Sequence, residues 1–264
     1  MPYKITDFLL LLFISILLSA CATKRDLYYF QGADTSGPLK ILSTSKVIQY
    51  ESTTIQPNDI LSVRIGASVA ESAEPYNPDN TLNPKSNNIE LRKLSGYLVT
   101  NEGTIELPIL GVIKVVNKTT RELELSMIKL LEEGGHLIKA FVNIRLINAK
   151  VTVLGEVNHP GTYTFLEQLI TLPQALGYAG DLTINGKRTN ILLIRETAGN
   201  RIMKHIDLTA TDWMNDSTYY VKPNDVIVVR PNFAKVKSSG IIGNLTSLLS
   251  VVSIIITATF LIKN

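Results

Sequence analysis

The sequence predicts an α+β fold: two mostly-β domains in tandem, each with one principal helix, followed by a C-terminal transmembrane α-helix. Three observations carry this. Between Val47 and Pro231 the apolar runs are mostly short and alternate with period two, as in strands with one buried face. Two segments in that span switch to helical spacing behind marked caps. Finally, "IIGNLTSLLSVVSIIITATFLI", Ile241 to Ile262, runs 22 residues without a charge, which is membrane length.

The organisation reads as a leader (1–20), an N-terminal tether (21–46), a first domain (47–149), a second domain (150–232) and the final helix (240–262). The 264 residues, 45% hydrophobic and 19% charged, suffice for one or two packed domains and argue against disorder. A net charge of +3 from scattered basic residues lacks the electrostatic footprint of a nucleic-acid binder.

In the leader, Lys4 precedes the apolar stretch Phe8 to Leu18, which ends at small residues and the only cysteine, in "LLSAC". A positive charge before a short apolar core and a small-residue site is a secretory signal rather than a spanning helix. Leu18-Ser19-Ala20-Cys21 resembles the bacterial lipoprotein box, where cleavage leaves the cysteine N-terminal with its sulfur carrying a diacylglycerol. Cys21 is thus the expected lipidation site, each buried methylene contributing about 0.8 kcal/mol to the anchor. The bland alternative is a lone cysteine in a signal peptide. Ala22, where inner-membrane retention favours aspartate, points to the outer membrane. A single cysteine also excludes an intrachain disulfide, so the fold must rest on packing.

The first domain opens with "ILSVRI", where Leu61, Val63 and Ile65 alternate with Ser62 and Arg64. Residues 71–93 are polar and carry Pro75, Pro78 and Pro84, which predicts a surface insertion. "GYLVTNEGTIELPILGVIKVV" reads as strand, turn and strand, with Asn101-Glu102-Gly103 as the turn. In "TTRELELSMIKLLEEGG", Leu123, Met127, Leu130 and Leu131 share a helix face; Thr119 and Glu122 form a capping box, and Gly134-Gly135 supplies the stop. "FVNIRLI" returns to strand.

The second domain starts "KVTVLGEVNHPGTYTF", strand, turn, strand, and continues with a short helix in "TLPQALGYAG". There Thr171 and Gln174 have capping-box spacing and Pro173 lies in the first turn. Strands in "NILLIR", "RIMKHIDL" and "DVIVVR" complete the order hairpin, helix, strands, which fits a β-grasp domain, a mixed sheet around one helix. "IQPNDILSVR" (55–64) and "VKPNDVIVVR" (221–230) echo one another. Either both domains use one turn-strand unit, or similar turn chemistry arose twice.

Candidate chemistry is sparse, and the expectation is no enzyme, no cofactor and no metal. His136, His159 and His205 stand apart, without ligand spacing or a second cysteine. Glu132 and Glu133 are adjacent on a helix and point in different directions. Tyr163, Tyr178, Tyr219 and Tyr220 would suit stacking on a sugar, although tyrosine in small β domains is more often ordinary packing.

In this order the stretches resemble the bacterial outer-membrane polysaccharide export lipoproteins, which secrete capsule and exopolysaccharide. "IQPNDILSV" and "VTNEGTIELPILGVIKV" resemble the family's export domain, with Asn58 where glycine is usual. "VTVLGEVNHPGTYTF", "ITLPQALGYAG" and "YYVKPNDVIVV" resemble its soluble-ligand-binding β-grasp (SLBB) module. Longer members carry two or more such modules, and this chain has room for one. The resemblance implies transport: a homo-oligomeric ring, as an octamer, passing polysaccharide across the outer membrane, with an inner-membrane polysaccharide co-polymerase as partner and membrane lipid as anchor.

The final segment fits that reading. As a helix it is about 33 Å long, and Thr246, Ser250, Ser253 and Thr257 fall on one stripe, with Ser247 at its edge. Small hydroxyls in a ring of helices would line a wet pore. Hydroxyls also sit at close helix contacts in bilayers, satisfied by backbone carbonyls. From the residues alone both stay open, and the family's ring of C-terminal helices favours the pore. The alternative function is a non-channel glycan-binding or assembly lipoprotein.

Overall fold

A computed structural model describes residues 27–31, 52–77, 94–197 and 199–232, together with Ser250, Ser253, Ile254 and Thr257. The described chain is α+β and mostly β, around two hydrophobic clusters.

The first cluster belongs to a three-stranded antiparallel sheet, a hairpin and a helix. Strand β1 (Ile60–Gly66) is central, between β2 (Tyr97–Leu98) and β5 (Phe141–Leu146). Its alternation works as read: Leu61 and Ile65 are buried, while Arg64 is exposed. Strands β3 (Thr104–Leu107) and β4 (Gly111–Lys114) form a hairpin, so the segment holds one strand more than expected, turning at Pro108 to Leu110. The expected turn also forms, Gly103 N donating to Thr100 O at 2.9 Å.

After β1 comes a single helical turn, α1 (Ala70–Ala73), and then a 3₁₀ turn. This start of the expected surface insertion is not all surface, because Ala73 and Tyr76 are buried in the core. Asn77 explains how the chain is held there. Its side chain accepts from Ile65 N at 2.9 Å and donates to Ile65 O at 2.7 Å, pairing like a neighbouring strand. Residues 78–93 lie outside the described residues.

Helix α2 (Thr120–Glu133) packs on β5. Its capping box forms as predicted: Thr119 Oγ1 accepts from Glu122 N at 3.1 Å, and Glu122 Oε2 accepts from Thr119 N at 2.8 Å. Leu123, Met127 and Leu131 fill the core. Leu130, expected beside them, is 44% exposed because it falls at the edge of that stripe.

The second cluster lies under a five-stranded mixed sheet, ordered β10-β9-β12-β6-β7. β6 (Lys150–Gly155) and β7 (Gly161–Thr164) form the first hairpin; β9 (Gly186–Thr197) and β10 (Asn200–Ile206) form the second. β12 (Val226–Pro231) runs parallel to β6 and antiparallel to β9, closing the sheet at its centre. Helix α3 (Leu172–Tyr178) buries Leu172, Ala175 and Leu176 against it, flanked by the small pair β8 (Ile170–Thr171) and β11 (Tyr220–Val221). A mixed sheet gripping one helix is the grasp-type arrangement that the element order predicts.

Of the transmembrane helix expected over 240–262, only Ser250, Ser253, Ile254 and Thr257 are described, and these are helical. Among the described residues no helix is long and apolar enough to cross a membrane.

Candidate functional site

The two Pro-Asn-Asp stretches fold alike. Each is a four-residue turn whose third residue is left-handed, Asn58 at φ 70° and Asn224 at φ 68°. In each the aspartate N–H closes the turn, onto Gln56 O and Lys222 O, both at 3.2 Å. The aspartate side chain accepts from the turn's first residue, Gln56 N at 2.9 Å and Lys222 N at 2.8 Å. Left-handed backbone favours glycine, and asparagine is among the side chains that tolerate it best. Asn58 and Asn224 therefore hold a conformation that does not strictly need glycine.

The two aspartates then part ways. Asp225 is 1% exposed and clamped by Arg195, Nε to Oδ1 at 2.9 Å and Nη2 to Oδ2 at 2.7 Å. Asp59, 7% exposed, has no cationic partner among the described residues. Burial pushes its carboxyl up to about 6 against the lowering effect of the Gln56 N–H.

Asp59 lines a cleft of about 360 Å³ at the junction of the two domains. Thr54, Thr120 and Asn143 contribute from the first domain; Phe165, Glu167 and Gln168 come from the second. Asn148, where the chain leaves the first domain, accepts from Ile60 N and donates to Asn58 O, both at 2.9 Å. Leu146 packs against both hydrophobic clusters.

A second feature lies on the second domain. Tether residues 27–31 dock there: Phe30 N donates to Leu208 O at 3.2 Å, and Gln31 N donates to Thr209 O at 2.7 Å. Tyr29 lies under the Arg188 guanidinium, 5.1 Å from its ring centre, and donates to Asp181 at 2.5 Å. Burial, and then Asp181, push the Tyr29 phenol above its ordinary range, so it remains a donor. Phe30 stacks on Trp213 at 6.0 Å, and Trp213 meets Tyr219 at 5.8 Å.

The sites expected from sequence distribute as follows. Cys21 and Thr246 lie outside the described residues. Ser250, Ser253 and Thr257 are exposed and helical; Ser253 Oγ donates to Ser250 O at 2.9 Å and Thr257 Oγ1 to Ser253 O at 2.7 Å. The four tyrosines form two pairs, Tyr163 with Tyr178 and Tyr219 with Tyr220, rather than one platform. Tyr163 donates its hydroxyl to His159 O. His136 meets Tyr76 at 3.2 Å, and His205 meets Asn190. Among the described residues no group of His, Cys, Asp and Glu is placed to hold a metal. Sequence reasoning missed the cleft and Asp59, although the Pro-Asn-Asp echo was their signal.

Fold and site define a two-module α+β protein with a polar cleft where its modules meet. Residues 49–147 match the family described as polysaccharide biosynthesis/export protein, and residues 150–205 match the SLBB domain. The two matches follow one another and together span more than half of the chain, which belongs to the polysaccharide export family. It is 34% identical over 107 residues to the EPS I polysaccharide export outer membrane protein EpsA of Ralstonia nicotianae (strain ATCC BAA-1114 / GMI1000). That similarity covers 39% of this chain and 27% of the relative.

Proposed function

We propose that this chain is a subunit of an outer-membrane channel that exports capsular or exopolysaccharide from the periplasm to the cell surface. The observation that carries the reading is the succession of an export-family module and an SLBB module in one chain, in the order that the folded units follow. The named relative, itself an outer-membrane polysaccharide export protein, supports it.

In this proposal residues 47–149 are the export domain and residues 150–232 the SLBB domain. Cys21 carries the lipid, and residues 240–262 cross the outer membrane in a homo-oligomeric ring of eight. An inner-membrane polysaccharide co-polymerase delivers the polymer, and no bond is broken.

The docked tether favours one orientation. Cys21 and Leu27 are six residues apart in sequence, a reach of at most about 20 Å. Because residues 27–31 sit on the second domain, acylation at Cys21 would hold that domain, not the first, close to the membrane.

Thr246, Ser250, Ser253 and Thr257 would face the exit. The hydroxyl protons of Ser253 and Thr257 already go to carbonyls of their own helix, leaving acceptor oxygens outward. Such a lining would offer a passing sugar contacts without strong holding sites. The same bonds favour the rival reading, a lipid-anchored glycan-binding or assembly protein whose last helix merely packs, since internally satisfied hydroxyls need no water. Cysteines placed at 250 and 253 separate the two, because water-soluble reagents label them only in a pore.

The decisive experiment purifies the full chain in detergent and measures its mass and its bilayer conductance, with and without residues 241–264. A ring that conducts, and loses conductance on truncation, is expected. A monomer, or conductance indifferent to truncation, removes the channel. Cys21→Ser should abolish fatty-acid labelling and membrane retention.

A further inference from the structure

The two Pro-Asn-Asp turns make an internal control. They share backbone conformation, closing hydrogen bond and side-chain acceptor role, so the turn itself needs only an acceptor oxygen at the aspartate position. Asparagine would supply that. In the second domain the charge is used, because Arg195 clamps Asp225. In the first domain the same charge is buried with one backbone donor and, among the described residues, no cation. A buried carboxylate in that state is costly and calls for a partner.

The surroundings indicate what that is. The cleft beside Asp59 falls within the usual range for ligand pockets, about 300–1,000 Å³. Its polar lining is mostly hydroxyls and amides from both domains, including Thr54, Thr120, Asn143 and Gln168. Leu166, 44% exposed, contributes apolar surface against which a sugar ring can lie, next to the buried Phe165. Of the other charged side chains there, Arg145 and Glu167 are one of each sign. The cleft thus offers acceptors and donors side by side with little net charge, and its one buried carboxylate has a single backbone donor and, among the described residues, no cation.

We propose that this interdomain cleft is a binding site for a short neutral glycan segment, with vicinal sugar hydroxyls donating to Asp59. The choice of glycan rests on the export reading above; the existence of the site rests on the cleft and its carboxylate. A segment held there touches both modules at once. Occupancy would therefore brace the export domain against the SLBB domain.

The test uses the full-length protein in detergent. The probe is a set of two- to four-sugar fragments, made by partial acid hydrolysis of the producing cell's own surface polysaccharide and split into neutral and acidic fractions. Saturation-transfer NMR and titration calorimetry report binding. The neutral fragments are expected to bind. Asp59→Asn, which keeps the turn's acceptor, is expected to weaken binding at least tenfold. Thr54→Trp, which fills the cleft from an exposed position, is expected to abolish binding without lowering the melting temperature. Absence of binding, binding of the acidic fraction alone, or affinity unchanged in both variants overturns the cleft site. Disrupting the gene and assaying surface polysaccharide reports separately on export: loss of polysaccharide with no cleft binding sinks only this inference, whereas unchanged polysaccharide sinks the export reading.

Discussion

Asp59 and Asp225 hold the same place in the same turn, yet among the described residues only Asp225 has a cation beside it, and that difference can be measured. Asp59 has a folded value of about 6 against an ordinary 3.8. The folded state therefore holds this proton more tightly than the unfolded chain does. Its contribution is fully present below about pH 4 and is lost as pH rises through 6, a difference of about 3 kcal/mol. Asp59→Asn should be more stable than the parent at pH 7, with the gap in urea midpoint closing towards pH 4. Asp225 differs in having a cation beside it. Arg195→Met leaves a carboxylate that is 1% exposed without its cation, and should cost about 3–5 kcal/mol. At Asn58, φ of 70° predicts that glycine is tolerated, whereas valine, branched at Cβ, loses about 1–2 kcal/mol by chemical denaturation.

The elements follow local rules that single substitutions can expose. Both capping boxes form, at Thr119 with Glu122 and at Thr171 with Gln174. Thr119→Ala should destabilise by about 1 kcal/mol, because the Glu122 N–H loses its acceptor. Along α2 the buried stripe predicts a sharp contrast. Met127→Ala, at a site 1% exposed, should cost about 2–5 kcal/mol, whereas Leu130→Ala, at a site 44% exposed, should cost far less. At the centre of the second sheet, Gly155 has φ 91°, and a Cβ there would run into the Val229 carbonyl. The glycine lets β6 and β12 approach in parallel, which is why it stands at the end of β6.

In the whole molecule, the tether passes the second domain before the chain enters the first. Its hold is aromatic as much as hydrogen-bonded, through Tyr29 on Arg188 and Phe30 on Trp213. Phe30→Ala should release it, so that the amides of Phe30 and Gln31 lose at least tenfold of their hydrogen-exchange protection while the second domain's melting temperature changes little. Unaltered protection would mean that the backbone bonds to Leu208 and Thr209 suffice alone.

What was legible in advance was contiguous. Strand alternation at Leu61 to Ile65, both capping boxes, the Asn101 to Gly103 turn and the Pro-Asn-Asp echo each depend on residues within about a turn or two of one another, where propensity and short hydrogen bonds decide. The hairpin at Pro108 to Leu110 and the burial of Tyr76 were less so, since both depend on what the segment packs against. By itself, then, the sequence determined two mostly-β units, their helices and the turn that opens β1 and β12. Only tertiary structure decided that Arg195 meets Asp225 across 30 positions, that Tyr29 meets Asp181 across 152, and that Asp59 meets, among the described residues, no cation but a cleft shared with Phe165 and Gln168. Whether a carboxylate in one turn is neutralised or left to a ligand depends on which distant side chain folding brings beside it, and periodicity carries no record of that.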